Sequence, residues 1–229
     1  MPVNNTSADW PGPEWHERGY ASREERILYL LATYSQYLAQ GNVLDVGCWD
    51  GILRRFMPER YVGVDIGGTP DITIDLEQGR LPFDANQFET VVCLDVLEHL
   101  DNTHAVFAEL LRVSSRYVIV TFPNAWSVFL RHILGGSIQP LKFYGLPTTP
   151  PVDRHRWFYS YTEAARFVRA NAKRYGYRII AMDPYYPRGR RLNRISRWLG
   201  EHSPLGQNMR FNAYFADVLW VVLDTQANG

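Results

Sequence analysis

The chain has 229 residues, 46% of them apolar, enough for one domain of ordinary size with a substantial core. No run nears the ~18 uninterrupted apolar residues of a membrane span, and MPVNNTSADWPGPEWHERGY has no apolar core of a secretory signal, so neither a span nor an exported precursor is expected. Net charge is zero, but residues 1–141 carry −8 and residues 142–198 carry +10, which predicts that the second half meets an anionic partner or docks on the acidic half.

Ser22 and Glu25 form a capping box ahead of Ile27, Leu30, Leu31, Tyr34 and Leu38 at helical spacing, and Gly41 stops that helix. Asn42–Val46 reads as a buried strand, followed by a helix start at Gly51–Phe56 that Pro58 ends. Further strands are predicted at Tyr61–Asp65, Ile72–Asp75, Thr90–Leu94 and Tyr117–Phe122, with a helix over Asn102–Arg112. Ser160 and Glu163 open another helix, which Gly176 ends, and Arg178–Met182 and Tyr214–Leu223 supply the last two strands.

Strands alternating with helices predict an α/β fold, a doubly wound and mostly parallel seven-stranded sheet with ligand at the carboxyl ends of its strands. A single domain over 1–229 is expected, with residues 1–40 as tail and N-terminal helix. Residues 124–159 and 184–210 are insertions forming a lid on the acceptor side. The two cysteines, Cys48 and Cys93, fall on separate strands, so a disulfide is not expected and a reducing cytoplasm is the simpler setting.

The run VLDVGCWDG, Val43 to Gly51, ends a strand in an acid and two glycines. Gly47 and Gly51 permit a sharp turn and a close ligand approach, and Asp65 ends the next strand 20 residues after Asp45, where a carboxylate can accept ribose hydroxyls. Asp75 ends the third strand and is placed for an adenine amino group; any one of these acids taken alone reads rather as a turn or capping carboxylate, and it is the set of three that favours a nucleoside pocket. A dinucleotide fold requires G-x-G-x-x-G, whereas Trp49 and Ile52 stand at its second and third glycines, so hydride transfer is disfavoured.

With YVGVDI, DLEQGRLPFDANQFETVVCLDVLEHL and VIVTFPN, that run resembles the class I S-adenosylmethionine-dependent methyltransferases over roughly residues 40–123. The resemblance implies a Rossmann-like methyltransferase fold and S-adenosylmethionine as cofactor. It implies that Asp45, Gly47, Cys48 and Gly51 border the methionine part, Asp65 and Ile66 the ribose, Asp75 and Leu76 the adenine, and Leu94 the sulfonium. Two departures stand out: Trp49 replaces a common glycine, and the ten positions from Asp65 to Asp75 leave room only for a turn at Gly67-Gly68.

For the methyl acceptor, His99 and His155 are the candidate general bases, beside the reading of His99 as a structural histidine at a helix start. Asp95, Glu98, His99 and the distant His155 also resemble the divalent-metal set of the 2′-O-methyltransferases that act on small-RNA 3′ ends. The metal-free reading is preferred, because Asp95 is shorter than the glutamate of that pattern. Arg188, Arg190, Arg191, Arg194 and Arg197, interleaved with Ile195, Trp198 and Leu199, suit an anionic acceptor or a peripheral membrane contact. The expected activity is O-methylation of a hydroxylated small molecule, glycan or glycolipid intermediate. An RNA 2′-O-methyltransferase with a divalent metal is the alternative, though the chain has no separate RNA-binding module, and a non-catalytic cofactor-binding protein is the third class.

Overall fold

Helix α1 spans Arg23–Tyr34 in the computed structural model, which describes residues 10–11, 20–136, 141–151, 153–187 and 191–226. Its start is the capping box expected from the sequence: Glu25 N donates to Ser22 Oγ at 3.2 Å and Ser22 N donates to the Glu25 carboxylate at 3.1 Å. Among the described residues the strands are β1 (Val43–Val46), β2 (Tyr61–Asp65), β3 (Ile72–Thr73), β4 (Phe88–Cys93), β5 (Ser114–Pro123), β6 (Arg178–Tyr185) and β7 (Val218–Asp224). They form one sheet in the order β3-β2-β1-β4-β5-β7-β6. Strands β1 to β5 pair in parallel, and β7 runs antiparallel between β5 and β6. The expected α/β, mostly parallel, doubly wound class is the one observed.

Helices cover both faces of this sheet, which is why its inner strands read as unbroken apolar runs. On one face Phe107 and Leu110 of α2 (Thr103–Val113) and Ala165 and Val168 of α4 (Tyr161–Tyr175) pack with Leu44, Val91, Val118 and Val221. On the other, Leu30, Leu31 and Tyr34 of α1 pack with Val92, Ile119 and Trp220. Val46 lies level with Val64 and with Cys93, so the loops after β1, β2 and β4 rise together at one edge.

Three local expectations are corrected. Residues Ile52–Phe56 form only a 3-10 turn before Pro58, whereas β2 and β3 are joined without a helix, as the ten positions from Asp65 to Asp75 implied. The strand read from Tyr214 begins at Val218, because Asn208 caps helix α6 (Met209–Phe215) through Arg210 N and Phe211 N and carries it to Phe215. Helix α3 (Ala125–Leu134) lies unread in the first stretch assigned to an insertion, while α5 (Arg191–His202) is the helix on which Ile195, Trp198 and Leu199 interleave with arginines. Fully buried Asn124 fastens this region: its amide reaches Ala213 O at 2.9 Å and Ala216 O at 2.7 Å, while its Oδ1 accepts from Trp126 N and Tyr161 N.

Candidate active site

The loops after β1 and β2 are joined through one side chain and two glycines. Asp65 Oδ2 accepts Trp49 N at 2.8 Å, its Oδ1 accepts Gly67 N at 3.0 Å, and Thr69 N donates to Trp49 O at 2.8 Å. Trp49 itself sits at φ 51° and packs over the turn, where a Cβ on Gly67 would stand 2.9 Å from the indole and one on Gly68 2.4 Å from the Trp49 carbonyl oxygen. The bulky residue at the glycine position is thus accommodated by two glycines on the facing loop. Gly47, at φ 78°, lies so close to Val96 that a Cβ would meet its methyl at 2.1 Å.

Below this edge a cleft is lined by Asp45, Gly47, Cys48, Asp50, Ile52 and Leu94, with Arg23, Arg26 and Ile27 of α1 closing its side. Asp45 is buried; burial pushes its carboxyl up to about 6, against the opposing effects of the Tyr61 hydroxyl, which donates to it at 3.0 Å, and of Arg26. Gly63 makes that bond possible, since a Cβ there would stand 2.5 Å from the Tyr61 oxygen. Ile66 is exposed beside Asp65. Asp75 accepts Glu77 N at 3.0 Å as the cap of a short 3-10 turn holding Leu76, the capping role that a single acid would have.

Asp95 is held by other partners. Its carboxylate pairs with Arg26 and accepts the Thr121 hydroxyl at 2.7 Å, so the four-residue set expected around a metal is reduced by one. Glu98, His99 and His155 do come together, their ligating atoms all within 4.8 Å of one another. Glu98 Oε1 lies 3.7 Å from His99 Nε2 and 4.0 Å from His155 Nε2, and both Glu98 oxygens are buried with no hydrogen-bond partner. Burial, with Asp95 nearby, holds the Glu98 carboxyl well above the usual range, and burial with the His99 neighbour pushes His155 down to about 4.

This cluster is assembled from distant sequence. Arg156 N donates to Glu98 O at 2.8 Å and the Trp157 indole to Leu100 O at 2.7 Å, which docks the irregular segment 153–157 alongside the Leu97–His99 turn. Asp153 Oδ1 lies 2.6 Å from His99 Nδ1, the Tyr144 hydroxyl lies 2.8 Å from His155 Nδ1, and the Phe143 ring stacks on His155 at 4.3 Å. Arg26 and Asp153 were not legible as site residues; only the capped helix of Arg26 and the short spacing of Asp153 to His155 offered any signal. Of the basic residues, Arg194 is exposed and Arg197 pairs with Glu201 at 3.8 Å, while Arg188, Arg190 and the Arg191 side chain lie outside what is described.

The profile of the family described as Methyltransferase domain matches residues 15–182. A ubiquinone biosynthesis O-methyltransferase of Pseudomonas entomophila is 32% identical over 94 residues, 33% of this chain and 40% of that protein. Its counterpart from Hahella chejuensis is 31% identical over 90 residues, 31% and 38% of the two chains. The chain therefore spans about two fifths of the length of these curated relatives. Among solved structures, the small RNA methyltransferase HEN1 superposes with a TM-score of 0.55 at 15% identity, over 88% of this chain and 25% of that one. A protein from Pyrococcus horikoshii gives 0.54 at 19% identity, over 93% and 95%. At these identities the structural likeness is one of fold.

Proposed function

This chain belongs to the class I S-adenosylmethionine-dependent methyltransferases, and we propose that it methylates a hydroxyl oxygen of a small molecule or glycan. The carrying observation is the Asp153–His99 pair. A carboxylate 2.6 Å from Nδ1 fixes the ring tautomer, so that Nε2 presents its lone pair toward Glu98 and His155. His99 Nε2 would then take the hydroxyl proton of the acceptor, and Asp153 would stabilise the imidazolium that forms. His155, held neutral by burial and tied to Tyr144, lines the same wall. The ubiquinone biosynthesis relatives are named as O-methyltransferases, which accords with an oxygen acceptor.

The cofactor edge fits its ligand. Each Asp65 oxygen has one backbone donor, which leaves a lone pair on each for a ribose hydroxyl. Gly47, Cys48, Gly51 and buried Asp45 would border the methionine part, Ile66 the ribose, Asp75 and Leu76 the adenine, and Leu94 the wall near the sulfonium. When bound, S-adenosylmethionine supplies an electrophilic methyl and a neutral thioether leaving group. The chain's own task is alignment and removal of one proton.

A second reading rests on the two partnerless oxygens of Glu98. One carboxylate and two imidazoles in this spacing suit a divalent cation such as Zn or Mn, which would polarise the acceptor hydroxyl. The test is methyl uptake from labelled cofactor across a panel of hydroxylated acceptors, with and without chelator. With a base alone, activity survives chelator and His99→Ala lowers it by ~10²–10⁴-fold. With a metal, chelator abolishes activity and Glu98→Gln abolishes its recovery on adding Mn. Full activity of His99→Ala in chelator would remove both readings.

A further inference from the structure

Helices α3, α5 and α6 are turned inside out for a surface that meets water. Helix α3 buries Ala125 and Ser127 and exposes Trp126, Phe129, Ile133 and Leu134, the last to 72%. Helix α5 turns Ser196 and Gly200 inward, where a Cβ on Gly200 would stand 2.2 Å from the Tyr186 ring, and leaves Ile195 54% and Trp198 59% exposed. Helix α6 buries Asn212 and Ala213 and exposes Tyr214 and Phe215. A helix ordinarily faces its large apolar residues to the core and its small polar ones to solvent.

Polar locks hold this orientation. Arg131 pairs with Asp217 through both carboxylate oxygens, and Ser127 Oγ donates to the same carboxylate at 2.8 Å. The Tyr186 hydroxyl donates to Asn212 Oδ1 at 2.5 Å, and Asn124 ties α3 to the last turn of α6. Helix α3 lies against α6, and α6 against α5, so the outward residues belong to one cap above the point where β5 and β6 end and β7 begins. Contiguous apolar surface of this kind marks an interaction site.

Charge decides among occupants. Arg194 and Arg210 are exposed on α5 and α6, the sequence entering α5 reads Arg188-Gly189-Arg190-Arg191, and residues 142–198 carry +10. Tryptophan, tyrosine and isoleucine interleaved with arginines, with Glu201 the one acid of α5 and α6 and paired with Arg197, is the composition of a helix face lying in a headgroup boundary. We propose that this cap docks on an anionic lipid bilayer, seating Trp126, Phe129, Ile195 and Trp198 among the acyl carbonyls and arginines on lipid phosphates. Docking is independent of which acceptor the enzyme methylates. No helix among the described residues is long and apolar enough to cross a membrane, so the contact is with one leaflet.

The experiment is co-sedimentation of the full chain with phosphatidylcholine vesicles, alone or with ~30% phosphatidylglycerol, at two salt concentrations. Binding is expected to the anionic vesicles, weakened by salt, and at least about tenfold less to neutral ones. The double variant Ile195→Ser/Trp198→Ser should lose about tenfold or more, and Arg194→Gln about fivefold on anionic vesicles only. S-adenosylhomocysteine titration must be unchanged in both; if the double variant fails it, Trp126→Ser/Phe129→Ser carries the same test. Absence of binding to either vesicle overturns the proposal, as does equal binding by the variants. A dimer in sedimentation velocity that the same variants dissolve would assign the cap to a second copy and overturn it likewise.

Discussion

Replacing Asp45 with asparagine should make the protein more stable and a poorer binder of its cofactor. Asp45 is buried at the end of β1, and its carboxyl is pushed up to about 6, whereas an unfolded chain releases that proton near ~3.9. Two units correspond to about 3 kcal/mol. The sign follows from proton counting. Between pH ~4 and ~6 the folded chain holds a proton that the unfolded chain has lost, so stability falls as pH rises through that window. Above pH ~6 the full penalty of about 3 kcal/mol stands. Asparagine carries no charge and keeps an oxygen to accept the Tyr61 hydroxyl, so Asp45→Asn should gain roughly 2–3 kcal/mol at pH 8 and nothing at pH 4. Urea unfolding followed by tryptophan fluorescence at both pH values measures the gap. A variant less stable than the parent at pH 8, or a gap equal at both, would refute the reasoning.

Asp65→Ala removes the acceptor of Trp49 N and Gly67 N as well as the proposed ribose anchor. Cofactor affinity by calorimetry should fall by ~1.5–3 kcal/mol, while unchanged affinity would dismiss the anchor. Asn124→Ala removes the side chain that bonds the Asn212, Ala213 and Ala216 carbonyls and two backbone N–H groups at a fully buried point, and should lower the unfolding free energy by about 3 kcal/mol or more. A loss under ~1 kcal/mol would mean that water replaces the amide.

Local chemistry made most of the fold legible. Both capping boxes, Ser22 with Glu25 and Ser160 with Glu163, are present as read, and Gly176 ends its helix in the left-handed conformation. Apolar runs located the inner strands of the sheet, because a strand covered on both faces has no alternation to lose; the edge strand β3 is two exposed residues and lies outside that rule. The end of α6 escaped, since Tyr214 and Phe215 suit a strand as well as a helix and only the Asn208 cap decides between them. At the site, the acids at strand ends were visible because they sit at topologically fixed positions. The Asp153–His99 and Tyr144–His155 contacts depend on how a loop more than 40 residues away docks on the Leu97–His99 turn. Asp95 was already the departure from the ligand pattern in the sequence, and in the fold its carboxylate pairs with Arg26 of α1.

The antiparallel β7 also bears on the order in which the chain can be assembled on a ribosome. Strand β7 separates β5 from β6, so β6 has no place in the sheet until Val218–Asp224 has been made. Helix α1 waits as well, because Tyr34 stacks on Trp220 with ring centres 5.4 Å apart and the Trp220 indole donates to the Tyr20 hydroxyl at 3.1 Å. At ~5–20 residues per second, the apolar face of α1 stands without its last partner for roughly 10 to 40 s of synthesis. A nascent chain therefore presents both an unfinished sheet edge and an incompletely covered helix until Val218–Asp224 has been made. Chaperone contact, or pausing late in the message, would act during that interval.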